Sequence, residues 1–380
     1  MGKFKIKTFA KSQEVQNPLV EAIYKINIGF DLSEDEAFDA FKYALEIKDP
    51  LERSTFLGVI LNGTMSKKPL LEEVRGFLRA TFVLDGLDPQ KTKRVNITGH
   101  NVIGLAGSWK KGIKTTNISS CAAIVAAAGG AYVMKSCSSA TSSLVGSSDF
   151  IELIGGNIKI TSEEMLEVLK KTGLGFFSIE NRIKKFDSLY GGKFHAPHVL
   201  SFALAGLSLP FKPDVMFYGL SHPNIVLSAK VFNSFGYDNV FVVSSTDNGL
   251  HFLDEVCVFG TTYIVGYKEG KLGSLKLIQP GDALNLPRYN RNLISSGKNI
   301  SENIHLSLAV LNGLGDSARE DLVCVNSATI LFLSKKVETL EEGFLLSKKI
   351  IRNGLAIAKL KEFIEATGGS LKKLDENIFS

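Results

Sequence analysis

The stretch from Gly104 to Gly155 constrains the fold of this chain more than any other segment. It contains a loop rich in Gly and Lys, an Ala-rich segment opened by Thr-Thr-Asn, the apolar run AYVM and a turn rich in Ser. This order predicts a loop, a helix, a strand that delivers Lys135 and a second loop. Asn117 or Ser119 can cap the helix, which leaves its first backbone N–H groups available to an anion.

The second loop is rich in hydroxyl groups and carries no negative charge before Asp149. Two loops of this kind at the ends of successive strands favour a phosphate-binding site. Solvated turns have a similar composition, so either loop taken alone leaves both interpretations open. The hydroxyls belong to Ser136, Ser138, Ser139, Thr141, Ser142, Ser143, Ser147 and Ser148.

The segments KTTNISSCAAIVAAAG and KSCSSATSSLVGSSDFIELIG resemble the phosphoribosyl-diphosphate-binding core of the anthranilate phosphoribosyltransferases. They resemble the related pyrimidine nucleoside phosphorylases more loosely, and the likeness extends over most of the chain. The positions that match at the family spacing are Asn117, Ser119, Lys135, Gly146, Ser147, Asp149, Glu152 and Gly155. The residues expected to contact the donor, phosphoribosyl diphosphate, are Gly107, Lys110, Lys111, Thr115, Asn117, Ser119, Lys135 and Ser147.

An acidic pair, Asp254 and Glu255, follows the strand-like segment NVFVVSS. Two carboxylates in a loop beyond a strand can bracket a hard cation such as Mg²⁺, which also takes waters and substrate phosphates as ligands. A solvated acidic turn is the alternative interpretation of such a pair. In the resembled family an Asp-Glu pair after the same strand binds Mg²⁺ on the diphosphate, so the resemblance implies Mg²⁺ as a cofactor held by this pair.

Three segments depart from the family pattern. The Gly-rich loop becomes Gly107-Ser108-Trp109-Lys110-Lys111-Gly112, in which the two lysines can hold phosphate as point charges. The Lys-His-Gly-Asn-Arg pattern keeps only its lysine. The acceptor segment ENRIKKFDSLYGGKFHAPHVLSF lacks the family's His-Pro and Arg-Arg-Glu-Leu-Gly signatures.

These departures predict an acceptor other than anthranilate, of nitrogenous or aromatic character. No arginine occurs between Arg182 and Arg288 to form a bidentate pair with a carboxylate. Asp187 would repel a carboxylate if it faced the pocket. The residues expected to contact the acceptor are Lys193, His195 and His198.

We therefore expect a Mg²⁺-dependent phosphoribosyltransferase, a pentosyl-transferring glycosyltransferase for which the sequence identifies no catalytic side chain. One alternative is a non-catalytic relative that binds single-stranded nucleic acid through Trp109, Lys110 and Lys111. A second alternative is a nucleoside phosphorylase, which would not need the acidic pair. Retention of Asp254 and Glu255 favours the transferase, and loss of the Gly-rich loop favours the nucleic-acid binder.

Composition excludes several other classes of protein. The chain has 380 residues, 44% of them hydrophobic, and a net charge of +5 from lysines that are scattered and form no basic patch. The four cysteines are far apart and do not have the spacing of metal ligands, so we expect reduced thiols. No apolar run is long enough to span a bilayer. We expect a cytoplasmic homodimer that does not associate with membranes.

The pattern of apolar residues predicts an α/β fold with a small all-helical N-terminal subdomain and a larger α/β domain built on a mainly parallel sheet. Ser33 and Glu36 form a capping-box pattern within the helical part. Strands are expected at RVNIT, AYVMK, DVMFYGL and NVFVVSS, followed by a hairpin around Lys268 to Lys271. The subdomains are expected to comprise residues 1–92 joined by about 180–210, and residues 93–179 with 211–380.

Overall fold

The fold is known from a computed structural model, which describes residues 17–108, 112, 114–140, 144–190 and 194–379. The Lys-rich segment at residues 1–13 lies outside the described residues. Four helices form the N-terminal part of the described chain. They are α1 (Pro18–Asn27), α2 (Glu34–Glu46), α3 (Pro50–Ser66) and α4 (Leu71–Val83).

Side-chain caps fix where these helices begin. The predicted capping box is confirmed, because the Ser33 hydroxyl accepts from the Glu36 N–H and Glu36 accepts from the Ser33 N–H. Glu73 of α4 is fully buried, and its two carboxylate oxygens accept from the N–H groups of Leu32 and Leu70 at 2.8 and 2.9 Å. The Lys67 ammonium lies 2.6 Å from the same carboxylate, which offsets the cost of burying its charge.

A mixed sheet forms the centre of the molecule. Its strand order is β3-β2-β1-β4-β5-β6-β7, with β8 also pairing with β6. The strands from β3 to β5 in that order are parallel, and β6 runs antiparallel to β5. Their bounds are β1 (Val102–Gly107), β2 (Tyr132–Cys137), β3 (Leu174–Ser178), β4 (Val215–Gly219), β5 (Val240–Thr246), β6 (Thr261–Lys268), β7 (Lys271–Leu272) and β8 (Lys276–Ile278).

Helices connect the parallel strands and place their carboxyl ends at one edge of the sheet. The connections are α5 (Ile118–Ala128), α6 (Ser147–Leu153), α7 (Ser162–Thr172), α8 (Ile179–Arg182), α9 (Lys184–Tyr190), α10 (Leu204–Leu207) and α11 (Ile225–Ser234). A short helix, α12 (Pro280–Ala283), follows the sheet. Short 3₁₀ helices occur at Pro89–Lys91, Val199–Phe202 and Arg291–Ile294.

Five helices form the C-terminal part of the described chain. They are α13 (Ile300–Leu311), α14 (Ser317–Leu333), α15 (Leu340–Arg352), α16 (Leu355–Ala366) and α17 (Leu371–Phe379). Helix α5 contacts β2 and four of these helices, α13 to α16. Because it is covered on all sides, its sequence ISSCAAIVAAA is apolar around the whole helix and has no polar face.

The predicted α/β fold class is confirmed, while several element boundaries were wrong. The first strand is Val102–Gly107, not RVNIT, so part of the expected Gly-rich loop is strand. The strand β3, LGFFS, was not predicted. The run 199–211 contains a 3₁₀ turn and one short helix. Gly354, with a φ of 71°, separates α15 from α16.

The hairpin is confirmed where it was expected. Strands β6 and β7 pair through Lys268 and Lys271, and the two residues between them, Glu269 and Gly270, both have positive φ, as the tight hairpin turn requires. The 3₁₀ turn at Val199–Phe202 contacts α3 and α4, so this segment packs on the N-terminal helices. The subdomain boundaries themselves stay a prediction.

All four cysteines are buried and free, and burial raises the pKa of the Cys137 and Cys257 thiols to about 12. Within the described ranges, none of the helices has both the length and the apolar character needed to cross a membrane.

Packing between α2 and α4 leads to a stability prediction. A Cβ added at Gly76 would lie 2.3 Å from the Glu34 backbone oxygen, whereas a Cβ at Gly58 in α3 meets no atom within 4 Å. We expect Gly76→Ala to destabilise the protein by about 1–3 kcal/mol through overpacking. Gly58→Ala should stabilise it by about 0.5–1 kcal/mol, because alanine loses less backbone entropy on folding.

Denaturant unfolding of the two variants beside the parent protein measures both effects. Equal shifts in the same direction would contradict the close approach of α2 and α4.

Candidate active site

A cleft of about 880 Å³, open to solvent, lies at the carboxyl edge of the parallel strands. It is formed by the end of β1, the segment that enters α5, the loop between β2 and α6, and the loop after β5. The cleft gathers eight of the residues expected to bind donor or metal, which are Gly107, Thr115, Asn117, Ser119, Lys135, Ser147, Asp254 and Glu255.

Lys135 lies within strand β2, not in the turn after it, and is 2% exposed. Its ammonium donates to the Ser136 backbone oxygen at 2.6 Å and also borders the cleft. The strand continues through Cys137 because the segment MKSC pairs in parallel with Gly175–Ser178 of β3. A buried cation is therefore fixed at the floor of the cleft by the sheet itself.

Asn117 is the N-cap residue of α5, but its side chain does not accept a hydrogen bond from the helix. The capping bond expected from the sequence is therefore wrong. The amide donates instead to the backbone oxygens of Val145 and Gly146, at 3.5 and 3.3 Å. Asn117 thus ties the start of α5 to the loop before α6. The first turn of α5 borders the cleft through Ser119 and Ser120.

A carboxylate in the first turn of α6 holds the serine-rich loop that follows β2. One oxygen of Asp149 accepts from the N–H groups of Ala140 and Gly146, at 2.7 and 2.8 Å. The Ser147 hydroxyl accepts from the Ser138 N–H at 3.2 Å. A Cβ on Gly146 would lie 2.4 Å from the Ser138 backbone oxygen, so the loop closes this tightly only around glycine.

The acidic pair is buried, with exposures of 8% for Asp254 and 2% for Glu255, and both residues line the cleft. A solvated acidic turn is therefore excluded. Glycines at the ends of β1 and β4 make room for the loop that carries the pair. A Cβ on Gly219 would lie 1.8 Å from the Asp254 backbone oxygen, and one on Gly107 would lie 2.5 Å from its Oδ2.

Side chains from β5 and α14 fix the backbone of the same loop. The Ser245 hydroxyl donates to the Glu255 backbone oxygen at 2.6 Å. Asn326 of α14 accepts from the Val256 N–H at 3.0 Å and donates to the Val256 oxygen at 2.8 Å. The carboxylates are thus held by neighbouring elements.

The two carboxylates suit Mg²⁺ only if a bound substrate supplies further oxygen ligands. Two carboxylates are hard oxygen donors, and the cation prefers few protein ligands together with waters and phosphate oxygens. Among the described residues, no group of three or more His, Cys, Asp or Glu side chains is arranged to hold a metal. Asp254 and Glu255 therefore fit a cation that arrives with a phosphorylated substrate.

A second cleft of about 530 Å³ adjoins the first and shares Ser138 with it. One wall is aromatic, with Tyr190 stacked on Phe186 at 5.0 Å between ring centroids and on Phe194 at 5.4 Å. A hydrogen bond joins the Tyr190 hydroxyl to Nε2 of His198, which is buried and lines the same cleft.

Two carboxylates, Glu180 and Asp187, also line this second cleft. Burial and the nearby charge of Glu180 raise the pKa of Asp187 above its ordinary value. Glu180 is anchored, because its oxygens accept from the Ser139 N–H at 2.6 Å and from the Ser178 hydroxyl at 2.8 Å.

The residues expected to contact the acceptor fall in different places. His198 borders the second cleft, whereas His195 lines a separate depression with His222 and His251. In this depression Nδ1 of the His251 ring accepts a hydrogen bond from the Asn248 amide at 3.2 Å. Lys110, Lys111 and Lys193, together with Trp109, lie outside the described residues.

The sequence interpretation missed several residues of the two clefts. Asn326 had a recognisable signal, a lone amide in the apolar segment LVCVNSATILFL. Glu180 had none, because the strand β3 that positions it was not predicted. The carboxylate of Asp187 was considered, but its place in the wall of the cleft depends on tertiary packing.

Comparison with known proteins agrees with this architecture. Residues 104–357 match the a/b domain of the glycosyl transferase family. An anthranilate phosphoribosyltransferase of Thermoanaerobacter sp. is 30% identical over 353 residues, which cover 91% of this chain and 98% of that protein. The enzyme of the same name from Acetivibrio thermocellus is 28% identical over 353 residues, or 92% and 96% of the two chains.

Solved structures share the fold. An anthranilate phosphoribosyltransferase from Thermus thermophilus superposes with a TM-score of 0.71 at 22% identity, covering 91% of this chain and 99% of its own. The Saccharomyces cerevisiae enzyme in complex with PRPP (phosphoribosyl diphosphate) and Mg gives 0.72 at 19% identity, covering 93% and 98%. The family match and the relatives confirm the resemblance and the expected enzyme class. The chain belongs to the glycosyl transferase family, as a transferase related over most of its length to the anthranilate phosphoribosyltransferases.

Proposed function

We propose that this protein transfers phosphoribose from phosphoribosyl diphosphate, with Mg²⁺, to a nitrogenous or aromatic acceptor other than anthranilate. The observation that carries the proposal is the first cleft, where the buried Lys135, Asp254 and Glu255 meet the start of α5. Phosphate oxygens suit a lysine ammonium and the N–H groups of a helix start. The diphosphate would supply metal ligands in addition to the two carboxylates.

The chain's own residues would act by positioning and by electrostatics. The C1–O bond to diphosphate breaks with its electron pair on the leaving group, and the acceptor nitrogen lone pair forms the C1–N bond. The amine proton passes to water. Lys135 and the helix N–H groups favour the negative charge of the diphosphate. Asn117 ties the start of α5 to the loop before α6, and Asp149 holds that loop closed. Bound Mg²⁺, held by Asp254 and Glu255, would neutralise charge on the diphosphate.

The second cleft supports an acceptor other than anthranilate. Its described lining includes Glu180 and Asp187 and no Lys or Arg side chain. A carboxylate-bearing ring placed there would meet two negative groups in a partly desolvated site, where their repulsion is strong. The aromatic wall of Phe186 and Tyr190 suits a flat ring.

The two other functions suggested by the sequence have weaker support. A nucleoside phosphorylase would leave the burial of Asp254 and Glu255 at the cleft without a purpose. The nucleic-acid platform depends on Trp109, Lys110 and Lys111, which lie outside the described residues, and the family is one of enzymes. A cytoplasmic location and a homodimer remain part of the proposal.

The metal pair gives the first test of this function. In the double variant Asp254→Asn/Glu255→Gln, we expect Mg²⁺-dependent binding of phosphoribosyl diphosphate to weaken by about tenfold or more, because two charged metal ligands are lost. The melting temperature should stay nearly unchanged, since the amides have the same shape as the carboxylates. Isothermal titration with and without Mg²⁺ measures the change.

A matched control is the adjacent pair Asp375 and Glu376 of α17, whose partners are the lysines Lys361 and Lys372 at the surface. The variant Asp375→Asn/Glu376→Gln should bind donor like the parent. If the parent shows no heat and no thermal shift at millimolar donor with Mg²⁺, the proposed donor is wrong. If the parent and the Asp254/Glu255 variant bind the donor equally well, only the proposed role of these two residues in metal binding is wrong.

Asn326 tests whether the loop after β5 must be held for donor binding. Asn326→Ala leaves the Val256 N–H and oxygen without their side-chain partner, at a cost of about 1–3 kcal/mol in folding stability. We expect donor binding in Mg²⁺ to weaken more than binding without it, since the loop carries both metal ligands.

The control for Asn326 is Thr329→Ala, one turn along α14, where the buried hydroxyl donates to the Val325 oxygen of its own helix. It should lower stability without changing the Mg²⁺ dependence. Equal effects of the two variants on that dependence would contradict a positioning role for Asn326.

Anthranilate itself tests the acceptor. Because Glu180 and Asp187 line the second cleft, we expect negligible consumption of anthranilate in the presence of donor and Mg²⁺. The loss of anthranilate fluorescence measures the reaction directly. Robust Mg²⁺-dependent consumption would show that the acceptor is anthranilate and that these carboxylates do not exclude it.

A further inference from the structure

The second cleft has an electrostatic character that narrows the class of acceptor. Glu180 and Asp187 enter it from consecutive helices, α8 and α9, and the stacked rings of Phe186 and Tyr190 lie beside them. Ser138 borders both clefts, so a ring in the second cleft lies next to the proposed donor.

The two carboxylates differ in how they are bonded. Both oxygens of Glu180 accept hydrogen bonds from Ser139 and Ser178, so this side chain is already committed to the loop between β2 and α6. Among the described residues, Asp187 has no hydrogen bond or ion pair to its carboxylate, although it is partly buried and faces the charge of Glu180. A carboxylate in that setting is stabilised by a ligand that supplies N–H donors or positive charge.

Resting on the proposed function, we infer that the acceptor is an aromatic amine whose second substituent donates N–H bonds or carries positive charge, such as an amide or amidine. Its ring stacks on the wall of Phe186 and Tyr190 and its N–H groups bond to Asp187. Asp187 then sets the specificity for the acceptor. A lysine or arginine at this place would instead select an acceptor that carries a carboxylate. Two parallel N–H···O hydrogen bonds between a cationic amidine and the carboxylate increase affinity and also select the geometry of the ligand.

Three ring compounds of one shape and different charge test this inference. They are anthranilate, 2-aminobenzamide and 2-aminobenzamidine, which present a carboxylate, a neutral amide and a cationic amidine. Fluorescence titrations are made with the full-length protein, with and without phosphoribosyl diphosphate and Mg²⁺. We expect the amidine to bind about tenfold or more tightly than anthranilate, with the amide between them.

In the variant Asp187→Asn, we expect binding of the amidine to weaken by about tenfold and binding of anthranilate to strengthen. The order of affinities is then reversed or abolished. Glu341→Gln, an exposed carboxylate at the start of α15, is the control for a general change in charge and should leave the order unchanged. If Asp187→Asn does not fold, the order of the three compounds on the parent protein still decides the question.

Failure of this inference is distinguishable from failure of the proposed function. Donor binding without any acceptor measures the function alone. If the donor binds while anthranilate binds more tightly than the amidine, or while Asp187→Asn leaves the order intact, the acceptor class is wrong and the transferase stands. If the donor does not bind, the proposed function is wrong and so is the role of the second cleft as an acceptor site.

Discussion

The close approach of the loop after β5 to two adjacent strand ends is the constraint on which the site depends. Gly107 and Gly219 are register partners at the ends of β1 and β4. Any side chain on Gly219 would overlap the Asp254 backbone, since even a Cβ would lie 1.8 Å from its oxygen. The absence of two Cβ atoms therefore allows a carboxylate to lie against the open edge of the sheet.

That approach has consequences for both clefts. It buries Asp254 and Glu255 beside Lys135, so opposite charges share one poorly solvated space. It also brings Ser108, the next residue after Gly107, into hydrogen-bond contact with Ser221 at 3.1 Å between hydroxyl oxygens. Ser108 borders the second cleft, so one strand end contributes to the walls of both. The geometry of the first cleft and that of the second are therefore fixed in part by the same pair of strands.

Local sequence signals were sufficient for the elements whose periodicity is strong. The capping box at Ser33, the hairpin turn at Glu269 and Gly270, and the parallel strand β5 were predictable because each depends on a few neighbouring residues. Strand β3 was missed because LGFFS has only five residues and is buried on both faces, so it lacks the alternation of a half-exposed strand.

The same difference between local and tertiary signals decided which site residues could be predicted from the sequence. The residues of the first cleft could be predicted because their motif is contiguous in two short segments and one acidic pair. The bonding of Asn117 could not, since its partners Val145 and Gly146 lie across a loop closure. The position of Glu180 depends on β3 and on the Ser139 N–H. The second cleft is therefore formed by tertiary contacts that no short segment of the sequence reveals.

The two clefts differ in charge, because the first holds lysines beside its acidic pair, whereas the described lining of the second holds the carboxylates Glu180 and Asp187 and no Lys or Arg. A transferred ribosyl group develops positive charge at C1 while negative charge gathers on the leaving diphosphate. Lys135 lies on the side where the phosphates would collect, and Glu180 and Asp187 lie on the side from which an acceptor would approach. Carboxylates there favour both a cationic acceptor and the positive charge at C1, since low solvent content strengthens each interaction. Under the proposed function a carboxylate-bearing acceptor would oppose that field, so the charge that would disfavour anthranilate is the same charge that would assist transfer to an N–H-rich ring.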